Sequence, residues 1–227
     1  MSLKREEEVK EYIQNLGTEY RFGCFHEKKP EVCQLLGEYF EAVTKDLEKA
    51  AKVFKSNCDD NKFPRSCFKY GGFAFIGQGC KEDKDAAYDY FKKGCDLGNA
   101  PSCLNLGLLN VTNMSEIKVD RPKDMKAGME YLQKACDGKE HLACYYLSGM
   151  FISGVPNTVE KNMKKAFDYS MKACELRNMY ACANISQMYA KGDGVEANAD
   201  LAKKYKDIAL DIQEQVKSSQ QIQFQQT

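Results

Sequence analysis

The sequence predicts an all-α fold, an α-α superhelix (solenoid) of five stacked helix pairs stapled by disulfides. Three observations carry that expectation. Cysteines come in pairs at a nearly constant interval: Cys24/Cys33, Cys58/Cys67, Cys95/Cys103, Cys136/Cys144 and Cys174/Cys182. Stripes of large and small residues recur at helical spacing on both sides of each pair. The second cysteine of each pair recurs every 34, 36, 41 and 38 residues from Cys33 to Cys182, a period typical of helix-pair arrays. No strand pattern competes.

The elements follow in chain order. Residues 1–17 read as an N-terminal helix, with Val9, Tyr12, Ile13 and Leu16 on one face. It leads into a cysteine turn over 24–30, where Pro30 suits the first turn of the next helix. Residues 18–215 then form the array, with pairs at about 30–59, 64–97, 100–137, 140–176 and 178–215. Eight residues before each closing cysteine stand Ala50, Ala87, Gly128 and Ala166. Five before stand Val53, Tyr90, Tyr131 and Tyr169, and four before stand Phe54, Phe91, Leu132 and Ser170. Three after each opening cysteine stand Leu36, Tyr70, Leu106, Leu147 and Ile185, and six after stand Tyr39, Phe73, Leu109, Met150 and Met188. Between them, four after, lie the small residues Gly37, Gly71, Gly107, Ser148 and Ser186. Such a large–small–large stripe lets a neighbouring helix approach closely. Gly77-Gln-Gly79, Gly154-Val-Pro156 and Gly192-Asp-Gly194 end helices, and residues 110–122 form an extended loop inside the third pair. A last helix over about 197–215 precedes a glutamine-rich tail, 216–227, whose polarity predicts disorder.

Composition narrows the function classes. Thirty-three basic and thirty-three acidic residues cancel, so no global field favours nucleic acid or an anionic membrane. No apolar run approaches the roughly 20 residues needed to span a bilayer. The N-terminus is charged and acidic, unlike a secretory signal or a matrix transit peptide. Eleven cysteines, ten of them paired, point to disulfides and an oxidising compartment. The mitochondrial intermembrane space fits a protein without a cleavable presequence; a periplasmic or secreted bacterial protein in mature form is the competing reading.

Each cysteine pair bridges the end of one helix to the start of the next, worth about 2.5 kcal/mol by loop-closure entropy. No Cys-x-x-Cys is present, and ligand spacings for zinc are absent, so no catalytic residue and no metal site is expected. Cys80, beside Gly79, is left over as a free thiol. His26 and His141 are the only histidines, too few to complete a Ser/His/Asp arrangement. Met150 and Met188 fall on the buried stripe as core filler. The sequons at Asn110, Asn113 and Asn184 read as accidental matches.

Residues 181–195 (ACANISQMYAKGDGV) and 163–174 (MKKAFDYSMKAC) resemble the Sel-1-like repeat pattern, AC-x-NLG-x-MY-x-x-G-x-GV followed by KA-x-x-Y-x-x-AC. The resemblance extends over roughly residues 31–212 and implies TPR-like helix pairs. The acidic N-terminal helix, residues 24–28 (CFHEK), 48–53 (EKAAKV) and 180–184 (YACAN) are similar to one branch, the cytochrome c oxidase assembly factor 7 family. The cysteine-rich secreted proteins of Helicobacter keep a seven-residue interval throughout, whereas here the first two pairs enclose eight. The first branch implies a non-enzymatic scaffold of the intermembrane space for respiratory chain assembly, chiefly of cytochrome c oxidase. Its partners would be client subunits or copper-delivery factors and the oxidative import machinery. A thiol–disulfide oxidoreductase acting on copper-chaperone cysteines and a secreted bacterial repeat protein are the alternatives. Haem or copper handling also comes with the resemblance, but Leu104 and Asn110 stand where that pattern has a histidine, and no cofactor is expected.

Overall fold

The computed structural model describes residues 3–111 and 123–224. Among these no strand forms; one isolated bridge pairs Val155 with Val159. Helix α1 (Leu3–Arg21) runs into a π-helical turn (Phe22–His26). There follow α2 (Pro30–Ala42), α3 (Leu47–Asn61), α4 (Pro64–Ile76), α5 (Lys84–Asp96) and α6 (Ala100–Val111). Then come α7 (Met125–Asp137), α8 (His141–Ser153), α9 (Met163–Glu175), α10 (Met179–Lys191) and α11 (Ala199–Phe224).

The second helix of every pair starts on the same device. Asp46, Asp83, Asp124, Asn162 and Asn198 each accept a hydrogen bond from the backbone N–H three residues on, at 2.8–3.1 Å. A side-chain oxygen there satisfies one of the donors that a helix start leaves unpaired, typically worth about 1 kcal/mol. First helices start differently. Pro30 and Pro64 open α2 and α4, whereas Asn178 caps α10 through the N–H of Ala181. Gly77 and Gly192 end α4 and α10 in the left-handed region, at φ +69° and +78°.

Among the described residues the chain divides within the first turn of α6 into two compact units, one up to Ser102 and one made of 103–111 and the residues from Lys123 onward. In the first unit, Leu36, Phe40, Ala50, Phe54 and Phe73 form the core, with Ile13 and Tyr20 of α1 packed on it. In the second, Leu106, Leu132, Leu147 and Ile185 are buried to 2 % exposure or less. Burying a side chain of that size contributes roughly 1.5–3 kcal/mol before entropy is counted.

Within the first three pairs the small residue of the first helix receives the large residue of the second. A β-carbon on Gly71 or Gly107 would lie 2.8 Å from Phe91 or Leu132. In the fourth pair both partners are small: the Ser148 and Ser170 hydroxyls meet at 2.6 Å, and Ser148 donates to the Ala166 carbonyl at 2.9 Å. Ser186 does the same to Ala202 at 2.7 Å. The crossing is retained from pair to pair while its chemistry changes.

Two expectations are corrected. The N-terminal helix does not stop at 17. Gly17 lies inside α1 because the Tyr39 ring comes so close that a β-carbon would sit 2.6 Å from it; the residue marks a contact, not an end. The tail expected to be disordered from 216 is helical to Phe224, since Lys217, the glutamines and the serines include no proline or glycine to break the helix. Most of the loop expected over 110–122 lies outside the described residues. Its start does not: Asn110 is inside α6 and buried, donating to the Leu106 carbonyl and accepting from Asp124 N.

Candidate functional site

Disulfides join Cys24 to Cys33, Cys58 to Cys67, Cys136 to Cys144 and Cys174 to Cys182, with Cα–Cα distances of 4.5–4.8 Å. Cys95 and Cys103 are disulfide-bonded as well. The positions are set by a repeated turn. Five residues before each opening cysteine the backbone turns left-handed, at Lys28, Lys62, Gly98, Lys139 and Arg177. That single residue swings the chain from a helix end into the next helix start. All ten are buried, at 7 % exposure or less. Such burial disfavours redox turnover and suits a structural staple, although Cys24 and Cys33 line a surface groove.

Cys80 is the free thiol, half-buried against the core of the first unit. Burial first, and the charge of Asp83 second, push it above the usual thiol range. A thiol held protonated is a poor nucleophile. Tyr70, beside it, is also raised, by burial and then by Cys80.

An electrostatic cluster of the first unit forms around Asp59, next in sequence to Cys58 of the Cys58–Cys67 staple. Tyr90 Oη, Lys93 Nζ and Lys55 Nζ each donate to the Asp59 carboxylate at 2.7 Å. Partial burial acts to raise Asp59, but the hydrogen bonds from Lys55, Lys93 and Tyr90 outweigh it and hold the carboxyl down at about 2. Burial, reinforced by the bond to Asp59, pushes Tyr90 up to about 12. Lys93 also lies over the Tyr90 ring, 4.4 Å from its centroid. The second unit repeats the theme at α7 and α9: Tyr169 donates to Gln133 and Lys172 reaches Asp137 at 3.6 Å. These clusters tie one second-of-pair helix to the next. No substrate atom is needed to satisfy them.

The histidines are engaged singly. His26 stacks on Phe22 with ring centroids 4.6 Å apart, and His141 Nδ1 lies 3.0 Å from Asn178 Nδ2. Among the described residues no group of three or more His, Cys, Asp or Glu is placed to hold a metal ion. Met188 is buried in the core and Met150 half-buried. Leu104 and Asn110 are both buried, and Asn110 is taken up by its α6 and Asp124 bonds.

What the sequence pattern left unseen is the character of the exposed surface. On α8 and α10, Tyr145 lies 6.2 Å from Tyr146 and 6.0 Å from Tyr180, ring centroid to centroid. Tyr180 is 58 % exposed, and Leu142 and Tyr146 on α8 are exposed as well. Rigid, amphipathic tyrosines side by side on a helical face are characteristic of protein-contact surfaces. A helix-period count marks these positions only as outward-facing; their adjacency needs the packing of α8 on its neighbours.

This repeated helix pair, with its small-residue crossing and turn staple, defines a Sel1-repeat protein. The sequence pattern described as "Sel1 repeat" matches residues 64–99, 100–139, 141–178 and 180–205. The solved structure of a Sel1 repeat protein from Oxalobacter formigenes superposes with a TM-score of 0.68 at 22 % identity, over 79 % of this chain and 68 % of that one. The chain is 46 % identical over 95 % of its length to the Drosophila melanogaster protein named cytochrome c oxidase assembly factor 7 homolog, covering 92 % of it. It is 42 % identical to cytochrome c oxidase assembly factor 7 of Xenopus tropicalis, over 99 % of this chain and 97 % of that one. The chain belongs to the cytochrome c oxidase assembly factor 7 family of Sel1-repeat proteins.

Proposed function

We propose that this protein is a non-enzymatic, protein-binding factor for the assembly of mitochondrial cytochrome c oxidase, and that it works in the intermembrane space. The observation that carries the proposal is a buried disulfide at the turns of a chain related over nearly its full length to proteins named as oxidase assembly factors. Such staples need an oxidising compartment, which supports the intermembrane space and an oxidative import route. Buried sulfurs and a protonated Cys80 support binding over thiol exchange. The exposed tyrosines of α8 and α10 offer a contact surface for client subunits. The proposal includes no resident haem or copper. No helix among the described residues is long and apolar enough to cross a membrane.

The test combines gene deletion with protease protection. Cells lacking the protein should lose assembled cytochrome c oxidase on native gels and regain it with the wild-type chain. In intact mitochondria the protein should resist added protease and become sensitive once the outer membrane is ruptured. Unchanged oxidase in the deletion, or protection that survives rupture, overturns the reading.

A further inference from the structure

A break in the repeat opens a groove at the first cysteine turn. Counting back from Cys95 and Cys174, five residues before stand Tyr90 and Tyr169, and two before stand Lys93 and Lys172. In both cases the pair fills the space between consecutive second-of-pair helices and bonds to the helix before. On α3 the corresponding residues, counted from Cys58, are Val53 and Ser56. The residue that corresponds to Asp59, one after the closing cysteine, is Phe25. An aromatic ring, a cation and their acceptor are thus all replaced at one place. The result is a groove of about 570 Å³ at the Cys24–Cys33 staple, lined by Phe25, Val53 and Ser56 together with the charged Lys28, Lys52 and Asp60. That volume falls within the roughly 300–1,000 Å³ of ligand pockets and exceeds a single aromatic side chain.

Local structure keeps the groove open. The chain beside it winds as a π-helical turn, a geometry that recurs at functional sites, and it holds Phe25 outward at 62 % exposure. Asp60 already accepts the Ser56 hydroxyl at 2.7 Å. Lys28 and Lys52 enter no ion pair among the described residues, so the groove lining sets two lysine cations against the single carboxylate of Asp60.

We propose that this groove receives one tyrosine or phenylalanine from an extended segment of a protein partner, with an adjacent acidic residue of that segment on Lys28 and Lys52. The ring takes the place that Tyr90 and Tyr169 take in the later pairs, and the acid takes up the two lysine cations. This deepens the reading of the chain as a protein-binding factor and rests on it.

The protein supplies its own control, because Val53→Tyr/Ser56→Lys restores the Tyr–Lys pattern of α5 and fills the groove from within. The oxidised full-length chain and this variant are panned against a displayed library of random peptides. The expected result is enrichment on the wild type of peptides with an aromatic next to Asp or Glu. Their affinity should fall by about tenfold or more, as for a central anchor residue, on the filled variant and on replacing the peptide aromatic by alanine. Lys28→Glu/Lys52→Glu should weaken binding severalfold, and more at low salt. Circular dichroism and intact staples confirm that both variants fold. No enrichment over the filled variant, or equal binding by it, overturns the proposal. So does self-association of the wild type that the filled variant abolishes, which would give the groove to a second copy. Oxidase content in cells carrying only the filled variant separates the two levels: a groove that binds peptide with no loss of oxidase leaves the groove standing and detaches it from assembly, whereas the gene deletion alone judges the assembly role.

Discussion

Phe54 lies against Gly37 so closely that a β-carbon on the glycine would sit 2.7 Å from Cδ1 and Cζ of the ring. The absence of a side chain on α2 is therefore what lets α3 pack with a buried phenylalanine at the crossing. Gly37→Ala should destabilise the first unit by about 1–3 kcal/mol through overpacking. Phe54→Leu in the same chain should recover part of that loss, because leucine already fills the equivalent place opposite Gly107. A double-mutant cycle in denaturant unfolding measures the coupling; additive losses would mean that the two residues do not share the space.

The staples should behave as structure. In the folded protein, a short treatment with reduced glutathione followed by alkylation should label Cys80 and leave the ten buried cysteines unmodified in mass spectra. Removing one bridge as Cys136→Ser/Cys144→Ser should lower stability by about 2.5 kcal/mol. Rapid appearance of a pair of alkylated cysteines besides Cys80 would instead point to an exchange-competent disulfide.

Asp59 gives the first unit an acid limit. Its carboxyl is held at about 2 when folded, below the roughly 3.9 of an unfolded aspartate. The contribution is therefore fully present above about pH 4 and disappears as the pH falls from about 4 to 2. Thermal unfolding of Asp59→Asn should start from a lower midpoint at neutral pH and converge on the wild type toward pH 2. Tyr90 acts at the other end. Its hydroxyl is pushed up to about 12, so its contribution holds below about pH 10 and is lost toward pH 12. Ultraviolet titration should show phenols that ionise after the exposed tyrosines, and Tyr90→Phe should remove one of them.

The left-handed position of each turn predicts two substitutions of opposite sign. Gly98 has φ +86°, and a β-carbon added there would meet nothing within 4 Å. Gly98→Ala should therefore cost about 1–2 kcal/mol from backbone strain alone. Lys139 occupies the same place at φ +68°, and Lys139→Gly should relieve strain and raise stability by a few tenths to about 1 kcal/mol. Matched denaturation curves decide it; two shifts of the same sign would show that the turn is not controlled by this residue.

Much of the fold was legible because the array writes each contact several times. The stripes around the cysteines mark the crossings, and the crossings do fall on Gly71, Gly107 and Ser148. The caps Asp46, Asp83, Asp124 and Asn162 stand at a constant twelve residues before the closing cysteine, a signal as regular as the stripes. Other features leave no such trace. Lysine carries no left-handed signature, so Lys28, Lys62 and Lys139 look like ordinary surface residues. The glutamine-rich tail reads as disorder by composition, yet it has no breaker to stop α11. Val53 and Ser56 are unremarkable until the helix before them is placed; then the missing ring and cation become a groove.

The turn staples also govern how the chain finds its pairing. The bridges that start at Cys24, Cys58, Cys136 and Cys174 each span only eight or nine positions of sequence, and each joins a cysteine to its nearest cysteine along the chain. Loop-closure entropy therefore favours the native bond over every rival from the first moment of oxidation. The nearest rivalry comes from Cys80, 13 residues from Cys67 and 15 from Cys95, in each case a longer loop to close than the nine positions between Cys58 and Cys67. Oxidation can thus proceed turn by turn, from either end and in any order, with little need for an isomerase to correct it.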